Sequence, residues 1–424
     1  MQRRTAIRLA GLGAVGSATL YGASRLVDRR QTRADDAYEP LGSVTIEGTT
    51  EAVVGDDGSV AYVATTTGYA TVDLSEPTDP TVLADIREPL ADHPEGPLRE
   101  IYDLKVSGDR LLVVGPANDN TPGPRAALVV DVADPAEPTQ LGVFETDYHL
   151  HNCFVDGEYA YLCGNDFERN PLVILDISDP TEPQEIARWS LLDVDDEWEP
   201  VDPLLRYLHD VWVRDGLAVL PYWDAGTWLV DVSDPTDPTF LSQFGQYEPE
   251  ELVGLSSTEV QREQRALPGN DHYGATDPAN SLLALGREGW AVDRDSEQRG
   301  GPGGIELYDI SDPVDPQQVA AIDPPETPDP TIGGIWTTAH NFELSTDRLY
   351  SSWYQGGMMI HDISDPSNPE RIAAWRDPEA VSFWTAQRAG DRVIASSMGQ
   401  RNATPSLWVF PDRAGQQVDR PPLE

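Results

Sequence analysis

Residues 172–183 read LVILDISDPTEP, and the core of that phrase, Asp-Ile-Ser-Asp-Pro, returns letter for letter at 309–313 and 362–366. Near-copies stand at 73–77 (DLSEP), 131–135 (DVADP) and 231–235 (DVSDP). Each copy has one anatomy. A short apolar, β-branched run such as Leu172–Asp176 has the composition of a buried strand. Ser-Asp-Pro then stops it, because Asp and Ser side chains bond their own backbone two residues on and proline removes a donor. A second proline (Pro183, Pro238, Pro316, Pro369) delays the next strand, as at 185–189. Upstream lies a hairpin, HNCFVDGEYAYLCG (151–164) before the third copy, HDVWVRDGLAVLPY (209–222) before the fourth and HNFELSTDRLYSSW (340–353) before the sixth, each turning at Asp-Gly or Thr-Asp.

Each unit therefore predicts four strands: A and B from the hairpin, C ending at the motif aspartate, and D after the prolines. Four short antiparallel strands in a repeat of roughly 40–50 residues make a β-propeller blade. Six full units are present. A seventh, from Phe383 to Phe410, lacks a D strand, while the stray segment PLGSVTIEG (40–48) belongs to no other unit. The expected fold is all-β, a seven-bladed propeller over 38–412 whose last blade is closed by that N-terminal strand, which would remove the exposed sheet edges. Insertions at 246–271 and 286–304 are expected on the top face, and 413–424 is expected to be a disordered tail.

These phrases resemble the repeat of the LVIVD-repeat family of exported bacterial and archaeal β-propellers, over roughly 40–412. The resemblance implies the propeller and an extracytoplasmic setting, and assigns no activity. The motif aspartates are read as turn caps rather than calcium ligands, since a calcium cage needs 6–8 oxygens. The acidic run DVDDEWEP (193–200) is read as solvated surface.

Asp and Glu number 73 against 29 Lys and Arg, a net charge of −44, and Lys105 is the single lysine. With 39% hydrophobic residues the chain has enough apolar matter for a core, unlike a disordered acidic chain. Such charge strains a compact fold unless salt screens it, so the chain reads as salt-adapted. The same charge excludes nucleic acid and anionic membrane surfaces as partners, apart from an N-terminal anchor. Residues 1–30 carry six arginines, and Arg3-Arg4 precede a Gly/Ala-rich apolar run (9–23) too short to span a bilayer. This resembles a twin-arginine signal and implies export to the cell surface or beyond, the segment being either cleaved or kept as an anchor.

Four of the seven histidines, His151, His209, His272 and His340, fall at one place, the start of strand A in blades three to six. Tyr102 holds that place in blade two, Trp384 in blade seven and Ala52 in blade one. Strand A is the innermost strand, so these side chains converge on the channel, and imidazoles gathered there suit Cu, Fe or Zn. His149, two residues before His151, is expected on the same face as an outer partner or additional ligand. The long connections (115–125, 191–208, 246–270, 286–304) all lie at the end where strand A begins and bring Trp223, Trp353 and Tyr354, so a small molecule or protein partner is expected there. Cys153 and Cys163 flank a turn that does not set them opposite each other, which disfavours a disulfide. Neither G-x-S-x-G, a P-loop, a GxGxxG after a strand nor HExxH is present. Two functions follow: a binding propeller with a histidine-lined metal site, or a metal-dependent oxidoreductase built on the same centre.

Moving the protein from molar to about 0.1 M salt lengthens the Debye length from about 3 to about 10 Å. It is expected to loosen or unfold, read by near-UV circular dichroism; a native spectrum at low salt contradicts the salt-adapted reading.

Overall fold

The structure, a computed structural model, describes residues 37–294, 297–401 and 403–423. The twin-arginine-like segment lies outside them. Seven four-stranded antiparallel sheets follow one another. Blades one to six occupy 49–87, 103–145, 153–189, 212–244, 271–322 and 342–375. In blade three the strands run A Cys153–Asp156, B Tyr159–Cys163, C Leu172–Asp176 and D Gln184–Trp189. The seventh sheet takes A Phe383–Ala389, B Arg392–Ser397 and C Ser406–Pro411 from the C-terminal end and Gly42–Thr45 as its D strand. Gly42 pairs with Val409 and Thr45 with Ser406, so the two ends of the propeller share one sheet.

The repeated phrase is a double turn. In each of the six copies the first aspartate accepts the backbone N–H two residues on, at 2.8 to 3.0 Å. The second aspartate does the same in five, for example Asp179 from Thr181 at 3.0 Å. A register shift between strands C and D recurs just before the first aspartate in blades one to six. The proline carbonyl then reaches the preceding blade. Thr71 Oγ1 donates to Pro135 O at 2.6 Å and Ser242 Oγ to Pro313 O at 2.6 Å. At Gly142 a Cβ would stand 2.2 Å from Pro180 O, and at Gly42 2.7 Å from Pro77 O, so close approach demands glycine at both places. The Gly42 contact joins blade seven to blade one.

Burial is continuous along the inner strands, as expected of sheets packed on both faces between neighbouring blades. Strand C of blade three is buried at Leu172, Val173, Ile174 and Leu175, and its neighbours pack into clusters that bridge successive blades. The insertions add short helices, Pro249–Leu252 and Ser257–Glu263, which bury Leu252 and Val260, and a hairpin of Val292–Arg294 with Glu297–Arg299. Among the described residues no helix is long and apolar enough to cross a membrane. The C-terminal segment differs from the expected disordered tail. Over 413–423 it is docked: Gly415 N donates to Ile372 O, Arg376 Nε to Pro421 O at 2.8 Å, and Tyr38 N to Gln416 O at 3.0 Å. The polar backbone there finds partners on blade six that a strand-pattern reading does not reveal.

Tyr38, fully buried against Phe410 at 6.1 Å, leads into the closing strand. Deleting 38–48 is expected to abolish the cooperative melt, and Tyr38→Ala to cost about 3–5 kcal/mol. Melting curves identical to the parent for both variants contradict closure by this strand.

Candidate metal centre

Strand register places the four histidines at one structural level. Cys153 pairs with Leu162, and the equivalent pairs in the other blades put Thr50, Tyr102, His209, His272, His340 and Trp384 at the level of His151. Blade one thus contributes Thr50, not Ala52, because its turn between strands A and B is longer and sets Ala52 opposite Val63, where blade three has Cys153 opposite Leu162. The rings form a row. Centroids lie 4.7 Å apart for His151–His209, 3.8 Å for His209–His272, 4.8 Å for His272–His340 and 4.1 Å for His340–Trp384. Tyr102 continues it, 5.9 Å from Trp384 and 6.3 Å from His151.

Backbone carbonyls orient three of the imidazoles. His151 Nδ1 meets Ala117 O at 2.9 Å, His209 Nδ1 meets His272 O at 2.9 Å, and His340 Nδ1 meets Trp384 O at 2.7 Å. A carbonyl only accepts, so Nδ1 carries the proton and Nε2 keeps a free lone pair, the form in which imidazole binds metals. His272 differs: both of its nitrogens are buried without a hydrogen-bond partner, and Nδ1 lies 3.5 Å from Glu288 Oε2. Its backbone is fixed through Asp271, whose carboxylate accepts from Thr227 Oγ1 and Arg287 Nε, both at 2.8 Å.

Glu288 is the site residue that the repeat reading missed. It follows strand B of blade five, at the position that holds Trp223 in blade four and Tyr354 in blade six. The backbones of Trp223 and Tyr354 are left-handed (φ 40° and 47°) and pair with the residues preceding the next blade's channel position, Asp271 and Phe383. That pairing draws this position over the channel mouth. Trp223 stacks 5.8 Å from His209, Tyr354 stands 4.9 Å from His340, and Tyr354 Oη donates to Glu288 Oε1 at 2.5 Å. The available signal was an acidic residue at a repeat position otherwise aromatic in the neighbouring blades. One ligand atom from each of His272, Glu288 and His340 lies within 4.8 Å of the others.

Two expected residues fall elsewhere. His149 turns away from the row; its Nε2 bonds Tyr207 Oη at 2.7 Å and its ring packs on Phe167 at 5.1 Å, outside strand A where simple alternation does not hold. Trp353 is fully buried in the core shared with the neighbouring blades, with Nε1 donating to Ser351 Oγ at 2.9 Å, because the chain turns between it and Tyr354. Cys153 and Cys163 are free, buried thiols that enter different core clusters.

Burial, reinforced by neighbouring imidazoles, holds His209 and His272 well below the usual histidine range, and burial depresses His340 to about 3. Burial pushes Glu288 up to about 7. Below the row, Glu51, Asp103 and Asp210 come together around Lys105, which forms a close ion pair with Asp103. Burial alone would lower Lys105, but these carboxylates outweigh it and hold the ammonium charged. Burial raises Glu51 to about 7, and its Oε2 accepts from Asn341 Nδ2.

The fold and its repeats define the class, a seven-bladed β-propeller carrying LVIVD repeats. Comparison with protein families matches the LVIVD repeat at 57–85, 151–190, 206–245 and 344–373, within blades one, three, four and six. Curated proteins yield no match. Among solved structures, the Cps50 (Swd1) β-propeller domain of Myceliophteria thermophila is similar, with a TM-score of 0.59 and 10% identity over 88% of this chain and 99% of that one, a likeness of fold alone.

Proposed function

We propose that this protein is an exported, salt-adapted propeller that binds a transition metal through His272, Glu288 and His340, with the Nε2 atoms of His209 and His151 alongside, and receives a ligand or partner on the same face. The observation that carries the reading is the cluster of His272, Glu288 and His340 ligand atoms within 4.8 Å of one another. Neutral imidazoles with oriented Nδ1–H groups support it, as do the unpartnered nitrogens of His272. Two imidazoles and one carboxylate suit a ferrous or zinc ion, and the further imidazoles suit copper.

A second reading, a metal-dependent oxidoreductase, is favoured by the donor set itself. Two histidines and one carboxylate leave coordination positions open for a substrate, and Trp223, Tyr354, Trp384 and Tyr102 wall the space beside them. Export rests on the paired Arg3 and Arg4 ahead of an apolar run. Replacing both with lysine is expected to trap the protein inside the cell; undiminished secretion contradicts that part of the reading.

Metal binding is tested by titrating the chelator-treated protein with Zn2+, Cu2+ or, without oxygen, Fe2+. One ion is expected to bind at one per chain, with His272→Ala and His340→Ala losing it while the near-UV spectrum is kept. Since Glu288 ionises only near 7, a proton competes with the metal there, and affinity falls as pH drops through that value. The imidazoles stay neutral to lower pH and add little to the slope. Glu288→Gln is expected to bind more weakly and to lose most of this pH dependence. Unchanged binding in both histidine variants contradicts the centre.

A further inference from the structure

The channel has a second mouth. The histidines begin strand A, whereas Lys105, Phe154, Trp212, Arg214 and Glu343 lie toward its other end and line a cavity of about 450 Å³. The carboxylate cluster around Lys105 lies between the two levels, so this pocket is independent of the metal reading.

Its charge runs against the rest of the chain. With 73 acidic residues against 29 basic ones, carboxylates are abundant, yet here Lys105, Arg214 and Arg388, from three different blades, balance Asp56, Asp57 and Glu343. Lys105 is held by Asp103, and Arg388 Nε donates to Gly390 O at 2.9 Å. Arg214 is different. Its guanidinium lies 5.4 Å from the Trp212 ring centroid, its Nε is buried without a hydrogen-bond partner, and among the described residues no carboxylate stands within ion-pair distance. The acidic wall residues are partly engaged: Asp57 Oδ1 accepts from Ser59 N at 2.8 Å and Oγ at 2.7 Å, and Glu343 Oε2 accepts from Arg388 N at 2.6 Å. Burial also pushes Glu343 up to about 7, which reduces its repulsion of an anion.

A guanidinium presents a planar fork of donors and no acceptor, which matches a carboxylate. That of Arg214 lies over an indole at a cavity wall with no hydrogen-bond partner for Nε, and Glu343 acts on it only through space, so its fork is open to an anion. Phe154, Val53 and Val106 line the same cavity and offer an apolar surface. A pocket of this size holds a small organic molecule.

We propose that this lower pocket binds a small organic carboxylate, its charged end on Arg214 and its apolar body against Phe154, Val53 and Val106. Benzoate is the probe, with benzamide as its uncharged counterpart, titrated calorimetrically into the full chain at neutral pH. Benzoate is expected to bind at one per chain, and benzamide at least about tenfold more weakly, since a charge-assisted hydrogen bond is lost. Arg214→Gln should weaken benzoate by a similar factor. Near-UV circular dichroism checks the fold, and if that variant fails to fold, Arg214→Lys, which keeps charge without the fork, is read instead and should also bind more weakly. Absence of saturable benzoate binding, equal binding by the folded variant, or binding abolished by EDTA and so belonging to a metal, overturns the proposal.

Discussion

The pairing of Gly42–Thr45 with Ser406–Pro411 is the constraint on which everything else depends. Without it the seventh blade keeps three strands, and blade seven holds to blade one only through side-chain packing such as Ile394 and Val409 against Val63 and Val72 and the Arg392 bond to Leu74 O. Closure makes the ring geometry serve as a positioning device. Any residue placed at the start of strand A is carried to the channel at one level, so four histidines far apart in sequence meet with ring centroids 3.8 to 4.8 Å apart. The repeated aspartate–proline turns keep successive blades in step through proline carbonyls that reach the preceding blade.

On that scaffold, burial sets the chemistry. Removing the imidazoles from water favours their neutral form, and removing Glu288 from water delays its ionisation. Both shifts are costs to an empty site, and a divalent cation would offset them by stabilising the carboxylate and using the imidazole lone pairs. Lower in the channel the balance reverses: Lys105 stays charged because Asp103, Glu51 and Asp210 surround it. A single lysine in a chain of arginines thus stands where a compact ammonium fits among converging carboxylates, a shape the broader guanidinium does not match.

The fold was legible because its information is local and repeated. Turn chemistry, β-branched runs and the stray strand at 40–48 each point to the same blade. The histidine row was legible for the same reason, since a repeat register turns sequence alignment into spatial alignment. Legibility stopped where structure departs from the repeat. The longer turn between strands A and B of blade one replaced Ala52 with Thr50. The turn after strand B sent Trp353 into the core and Tyr354 to the channel. His149 precedes the regular strand and follows Tyr207 instead. Glu288 and the docked segment 413–423 depend on long-range contacts that no local pattern carries.

X-ray absorption at the zinc edge of the zinc-loaded protein tests the centre most directly. The account predicts a first shell of nitrogen and oxygen only, at about 2.0–2.1 Å, with the outer scattering of at least two imidazoles. A sulfur shell at about 2.3 Å, or a spectrum without imidazole scattering, would place the ion elsewhere and contradict it.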